Sequence, residues 1–268
     1  MAPGLAMFAA SALALVAPAA APADPAAAPG VQLVQPRVAP AHAFFGGRTV
    51  RVEFSFAADG PLDLDVEIVR QASGRVARRY ALLLAIPRQP QRIDWDGLTD
   101  AGRVAPNGRY RVRIVAPGGH TARAGALTLH GHIFPVRGPH ADRGPIGVFG
   151  APRSGGRRHD GFDVNAACGT QLVAARAGRV RRRAYDPVLY GHYVIVRGRR
   201  TQRDYWYVHL QRPAPVRVGQ QVSTGQRIGR VGDSGNARTT GCHLHFELRV
   251  RGRPIDPRPE LLAWDGWS

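Results

Sequence analysis

The feature that most constrains this chain is a hydrophobic period of two. Val50, Val52, Phe54 and Phe56 alternate with Thr49, Arg51, Glu53 and Ser55. Leu62, Leu64, Val66 and Ile68 alternate with Asp63, Asp65 and Glu67, and Tyr110, Val112 and Ile114 alternate with arginines. Successive side chains of a strand point to opposite faces, so this pattern encodes half-buried strands, wet on one side and packed on the other. With Gly, Pro, Asn and Asp turns between them, such strands predict a small β-sandwich over residues 31–130. Residues 133–156 are dense in Gly and Pro and mark an irregular entry to a second part. There, stretches 173–180, 193–197, 205–210, 226–231 and 243–250 are again short and rich in β-formers, and no stretch shows a helical period. The expected fold is therefore mainly β: a sandwich over 31–130 and an antiparallel β-sheet domain over 131–268.

The 268 residues contain no lysine, so all 37 basic residues are arginine, against 19 acids, for a formal charge of +18. A P-loop, a pyridoxal Schiff base and a lipoyl or biotinyl attachment site each need a lysine amine and are excluded. An excess of this size raises nucleic acid as a partner. It is discounted because Ala, Arg, Gly and Pro are abundant throughout and no dense basic helix or aromatic-basic ladder is present. Up to residue 134 there are 14 arginines against 9 acids, and beyond it 23 against 10. Whatever the second part binds is expected to be anionic.

Residues 5–17 form an apolar run too short to anchor in a bilayer, followed by Ala21-Pro22-Ala23, a small-residue cleavage pattern. No arginine precedes the run, a departure from the usual positive start. The reading is a signal peptide over 1–23 and a flexible leader over 24–30. The mature chain is then exported to periplasm, wall or medium and keeps no stable membrane span. Cys168 and Cys242 fit export. A bridge between them would close about 75 residues, worth on the order of 4 kcal/mol in the chain-entropy account. Two free thiols or two thiolate ligands are the other readings.

The second part carries His159-Asp160-Gly161-Phe162-Asp163, then Tyr207-Val208-His209-Leu210, then Gly241-Cys242-His243-Leu244-His245-Phe246-Glu247. Histidine and carboxylate suit zinc, and three protein ligands leave a fourth position for water. On a strand, His243 and His245 share a face while Leu244 and Phe246 point into the core. His159 and Asp163 share a side if their segment is extended, as Gly161 favours. Alternation places His209 on the face of Tyr205 and Tyr207, opposite Trp206, Val208 and Leu210. A histidine there can move protons near neutral pH or support an oxyanion. A second His-x-His, His130-Gly131-His132, lacks a nearby carboxylate and reads as a surface or linker feature. Asp160 reads as solvated.

The ordered set of three motifs, joined by residues 218–229 and with Phe149-Gly150-Ala151-Pro152-Arg153 upstream, resembles the LytM/lysostaphin-type zinc endopeptidases of bacterial peptidoglycan. The resemblance runs from about residue 134 to 257. It implies an open groove, one Zn²⁺ held by His159, Asp163 and His245, and a catalytic pair of His209 and His243 beside it. None of the five residues is replaced, and Glu247 is left as support for a ligand. Cys168 and Cys242 would then brace the segments that zinc joins. In the first part, Asp94-Trp95-Asp96-Gly97, Ala101-Gly102-Arg103 and Pro106-Asn107-Gly108-Arg109-Tyr110 resemble the Ig-like domain of flagellar hook-capping proteins. That implies a scaffold or a docking module for a wall-associated protein. A non-catalytic wall-binding or amidase-activating regulator of the same fold is the alternative function, and an exported nucleic-acid binder a third.

Overall fold

The computed structural model describes residues 31–266. The expected signal peptide, 1–23, and leader, 24–30, lie outside the described residues. The first alternating stretch becomes the strand Val50–Ala57, with Val50, Val52, Phe54 and Phe56 each no more than 2% exposed. It is the middle strand of a sheet with Gln32–Ala39 and Gln91–Trp95. A five-stranded sheet runs in the order His42–Phe44, Thr121–His130, Gly108–Val115, Leu62–Arg70, Val76–Ala85.

The apolar faces of the two sheets meet in one core that includes Val52, Phe54, Val66, Ile68, Trp95 and Tyr110. Trp95 Nε1 donates to the Leu98 carbonyl at 2.7 Å and the Tyr110 hydroxyl to that of Pro106 at 2.7 Å. Both aromatics thus bury their rings without stranding a polar atom. Glu67, 3% exposed, is held by Arg79 at 2.6 Å and Arg113 at 2.5 Å.

The second part is built on an antiparallel sheet in the order His140–Asp142, Phe162–Ala166, His243–Val250, Arg203–Leu210, Gly191–Gly198, Gly178–Asp186, Gln221–Val222. Its inner face packs Val164, Val194, Tyr205, Tyr207, Leu244 and Phe246 against one another and against Leu261 and Trp264. A smaller sheet of Arg227–Arg230, Gln171–Val173 and Val136–Arg137 adds Ile228, Leu172 and Val136 to the same core. Among the described residues no helix is long and apolar enough to cross a membrane.

Three local expectations change. Leu261 and Trp264 belong to an α-helix, Arg258–Asp265. Eight residues are too few to display a period, and the helix is started instead by Pro259 in its first turn and by Asp256, whose carboxylate accepts the Arg258 N–H at 2.9 Å. Stretch 173–180 is not one strand, because Ala174, Ala175 and Ala177, each at most 1% exposed, pass through the junction between the two parts.

The pair His130 and His132 lies in the joining segment, as expected, but is not a surface feature. His130 is buried, and the half-buried His132 ring stacks on Trp264 with centroids 4.8 Å apart. The sandwich closes on this seam through Gly46, where an added Cβ would lie 2.5 Å from the Ala177 Cβ. Ser223 Oγ donates to the Gly46 carbonyl at 2.8 Å, and the Thr224 amide to that of Phe45 at 3.1 Å.

Candidate metal centre

The register of the large sheet assembles the site. Asp163 on Phe162–Ala166 is the direct cross-strand partner of His245 on His243–Val250, which puts their side chains on one face at adjacent positions. His159 precedes the first of these strands and turns back over it. The turn depends on Gly161, where a Cβ would meet the Phe246 carbonyl at 2.4 Å and His245 Cε1 at 2.9 Å. His159 Nε2 then lies 3.1 Å from Asp163 Oδ1 and 2.8 Å from His245 Nδ1, and His245 Nδ1 lies 2.9 Å from the same Oδ1. All three residues are buried.

The outer hydrogen bonds of the two rings reveal what this cluster is suited to hold. His159 Nδ1 faces the Val148 carbonyl at 2.8 Å, so it carries the proton and Nε2 presents a lone pair. His245 Nε2 faces Glu247 Oε1 at 3.0 Å, which leaves Nδ1 as its lone pair. Two imidazole lone pairs and a carboxylate oxygen converging within about 3 Å repel one another unless a cation sits among them. Two nitrogens and one oxygen, each ring oriented from behind by an acceptor, form a donor set that suits a divalent metal ion.

The electrostatics of the protein without metal agree. Burial opposes ionisation of Asp163, yet the imidazoles of His159 and His245 set against it hold its carboxyl well below the usual range. Burial likewise disfavours a charged His245, but hydrogen bonds to Asp163 and Glu247 outweigh it and push its pKa up to about 9. A proton takes the cation's place.

His209 and His243 stand beside this cluster. Their ring centroids are 4.9 Å apart, and that of His209 lies 5.9 Å from that of His245. His209 Nδ1 is 2.8 Å from the Ser234 carbonyl and His243 Nδ1 2.8 Å from that of Gly241. Each ring therefore keeps Nε2 as an acceptor. Burial lowers both pKa values, that of His209 to about 3 with help from His245 and His243, so both rings are neutral at pH 7.

The face expected for His209 is corrected here. Tyr205, Tyr207 and also Leu210 lie in the core, while Val208 packs on the outer face with Tyr193 and Ile195. Alternation breaks at His209, whose φ of +62° lies in the left-handed region. The strained residue swings its ring out of the core and into the groove.

The five histidine and aspartate side chains line a cavity of about 260 Å³. Its rim carries Arg143, Arg153, Arg157 and Arg158, with Tyr190 and Asn236. Only Arg153 was singled out from sequence; the adjacency of Arg157 and Arg158 to His159 was the available signal for those two, and nothing in the sequence marks Arg143. Asp160 is not part of the cluster but pairs with Arg249 at 3.2 Å. Glu247, fully buried, joins His245 to Arg249, whose Nε lies 2.6 Å away. Cys168 and Cys242 form a disulfide with Cα atoms 5.3 Å apart, tying the chain after Asp163 to the residue before His243.

Residues 157–257, which contain all five of these side chains, match the model of Peptidase family M23. This region is an M23 peptidase domain. Over 98 residues the chain is 41% identical to the peptidoglycan DD-endopeptidase ShyA of Vibrio cholerae, covering 37% of this chain and 22% of that one. Over 129 residues it is 33% identical to the murein hydrolase activator EnvC of Escherichia coli, covering 48% and 28%. The M23 domain thus has relatives named as enzymes and as activators. The catalytic domain of lysostaphin from Staphylococcus simulans aligns at 26% identity over 46% of this chain and 92% of that chain, with a TM-score of 0.40. The chain spans 22% and 28% of the lengths of these two curated relatives.

Proposed function

We propose that the mature chain is an exported zinc-dependent endopeptidase that hydrolyses peptide bonds in the stem peptides or cross-links of bacterial peptidoglycan. The observation that carries this reading is the intact fivefold set: His159, Asp163 and His245 converge on one point, and two neutral histidines flank it with their acceptor nitrogens free. A non-catalytic activator does not need those two histidines, and it does not need the strain stored at His209.

In this reading His159, Asp163 and His245 hold zinc, which when bound acts as a Lewis acid toward the scissile carbonyl and acidifies water. Glu247 fixes the His245 ring and raises its basicity. Nε2 of His209 or His243 accepts the proton of the attacking water, because the Nδ1 proton of each ring is committed to a backbone carbonyl. The imidazolium so formed can donate to the tetrahedral oxyanion and then to the departing amine. The groove-rim arginines would steer carboxylate-bearing peptides into the cavity.

The test is digestion of purified peptidoglycan by the mature chain, with muropeptides read by mass spectrometry with and without chelator. Chelator-sensitive release of peptide fragments, abolished in His245→Ala and His209→Ala, is expected. Undiminished cleavage by either variant removes that residue from the mechanism. Wall binding without fragments, insensitive to chelator, would assign the chain to the regulators. Preference for DNA over wall fragments would assign it to the nucleic-acid binders.

A further inference from the structure

The seam between the sandwich and the M23 domain holds a buried cation without a counter-ion. Arg176 is 6% exposed. Its Nε and Nη2 donate to the Arg199 carbonyl at 3.2 and 2.9 Å, and its Nη1 lies 3.0 Å from His132 Nε2. Both acceptors are neutral, since burial and the neighbouring arginines lower the His132 pKa to about 3. The acid whose field reaches Arg176 is Glu260, and both its oxygens already lie 2.6 Å from Arg203 Nη1. No ion pair among the described residues includes Arg176. A second cation crowds the place: the guanidinium carbons of Arg176 and Arg199 lie 5.4 and 5.5 Å from the centre of the same Phe45 ring. Burying unneutralised charge is costly, and a built-in excess of one sign marks where the opposite sign is to come.

Space is provided for it. Arg176 lines a cavity of about 370 Å³ together with Arg103, Arg200, Thr201 and Tyr205, and no carboxylate is on its walls. A neighbouring cavity of about 720 Å³ is lined by Arg179, Arg181, Arg197 and Arg199. There a single acid, Asp204, serves both Arg181 and Arg197. Guanidinium forks match the paired oxygens of carboxylates and phosphates. Two arginine-lined cavities in series suit a chain that carries such groups repeatedly.

We propose that this seam is an oxyanion-binding site through which the protein grips an anionic envelope polymer by its carboxylate or phosphate groups, apart from the groove. Strand Arg203–Leu210 carries Arg203 at the seam and His209 in the groove, six residues along. At about 3.3 Å per residue that separates the two sites by about 20 Å. A polymer held in the seam leaves the groove open and raises the local concentration of cleavable bonds. The choice of a wall polymer rests on the proposed peptidase function; the oxyanion site itself does not.

The test uses the metal-free full chain as wild type, as Arg176→Gln, as Arg103→Ala with Arg200→Ala, and as a charge-matched control, Arg109→Ala with Arg111→Ala on the exposed side of the sandwich. Inorganic phosphate and acetate, at constant ionic strength, are expected to raise the melting temperature of wild type and control but not of Arg176→Gln. In co-sedimentation with purified peptidoglycan, the exposed pair Arg103→Ala/Arg200→Ala should weaken binding about tenfold relative to the control. Binding to wall stripped of phosphate polymers identifies carboxylates as the ligand, and binding only to unstripped wall identifies phosphates.

Equal loss in the control pair reduces the effect to net charge and overturns the proposal, as does wild-type binding by both seam variants. Tighter binding of duplex DNA than of wall, lost in the seam variants, would overturn the choice of polymer. Cleavage of a soluble stem peptide by the metal-loaded seam variants should equal wild type. If no form cleaves while the seam variants still lose wall binding, the peptidase reading fails and the seam site stands.

Discussion

Glu247 approaches the back of the His245 ring at 3.0 Å, from a position with no exposed surface, and fixes which nitrogen of that ring faces Asp163. Its other oxygen takes Arg249 Nε at 2.6 Å. Glu247→Gln should therefore leave the fold intact but weaken zinc binding about 10- to 100-fold. Competition with a chelator of known affinity measures this, and unchanged affinity would show that Asp163 alone orients the ring.

Zinc affinity should depend on pH with a defined sign. The folded protein without metal raises His245 to about 9, so below that pH a proton occupies the site and must leave as metal enters. Apparent affinity should rise by up to about tenfold per pH unit below 9 and level off above it. A titration series from pH 6 to 9.5 reads the slope.

His209 trades stability for position. Its left-handed backbone costs a non-glycine residue about 1–2 kcal/mol. His209→Gly should raise the unfolding free energy while lowering cleavage about 10²- to 10⁴-fold, and His209→Ala should lose cleavage without that gain. Denaturant unfolding beside a peptide assay separates the two effects.

The disulfide spans 74 residues. Replacing Cys168 and Cys242 together by serine should remove on the order of 4 kcal/mol and loosen the cluster of His159, Asp163 and His245, since both cysteines adjoin its strands. Calorimetry of the oxidised, reduced and serine forms tests this. Equal melting temperatures would show that the sheet register alone holds the site.

In the sandwich, Glu67 supplies a pH-dependent contribution. Burial raises its pKa, but Arg113 and Arg79 more than reverse that, leaving it below the ordinary value. A depressed carboxylate pKa stabilises the folded state above the unfolded-state pKa, and the contribution is lost as pH falls through the folded one. Stability should therefore drop below about pH 4.5, and Glu67→Gln should be less stable at neutral pH with a shallower acid limb.

Much of this was legible because strands report themselves in alternate residues. Val50 to Phe56, the sharing of one face by His243 and His245, and the passage of Leu244 and Phe246 into the core all follow from period two. The pattern fails where a single backbone angle overrides it. At His209 one left-handed residue reverses the parity, and nothing in Tyr-Val-His-Leu announces a positive φ on a histidine. His132 was misjudged for another reason: its partners Arg176, Tyr205 and Trp264 are distant in sequence, so its burial is a property of the seam alone. The groove arginines were hidden by abundance, since in a chain where every cation is arginine, four at a rim do not stand out.

The groove owes nothing to the sandwich. Its lining runs from Arg143 to Glu247, and residues 31–142 contribute none of it. In this conformation the sandwich is therefore no lid, and cutting it away would not unmask the cavity. It would instead lay bare the Phe45 side of the seam. Any influence of the sandwich on the site must therefore pass through the seam and not through the wall of the cavity.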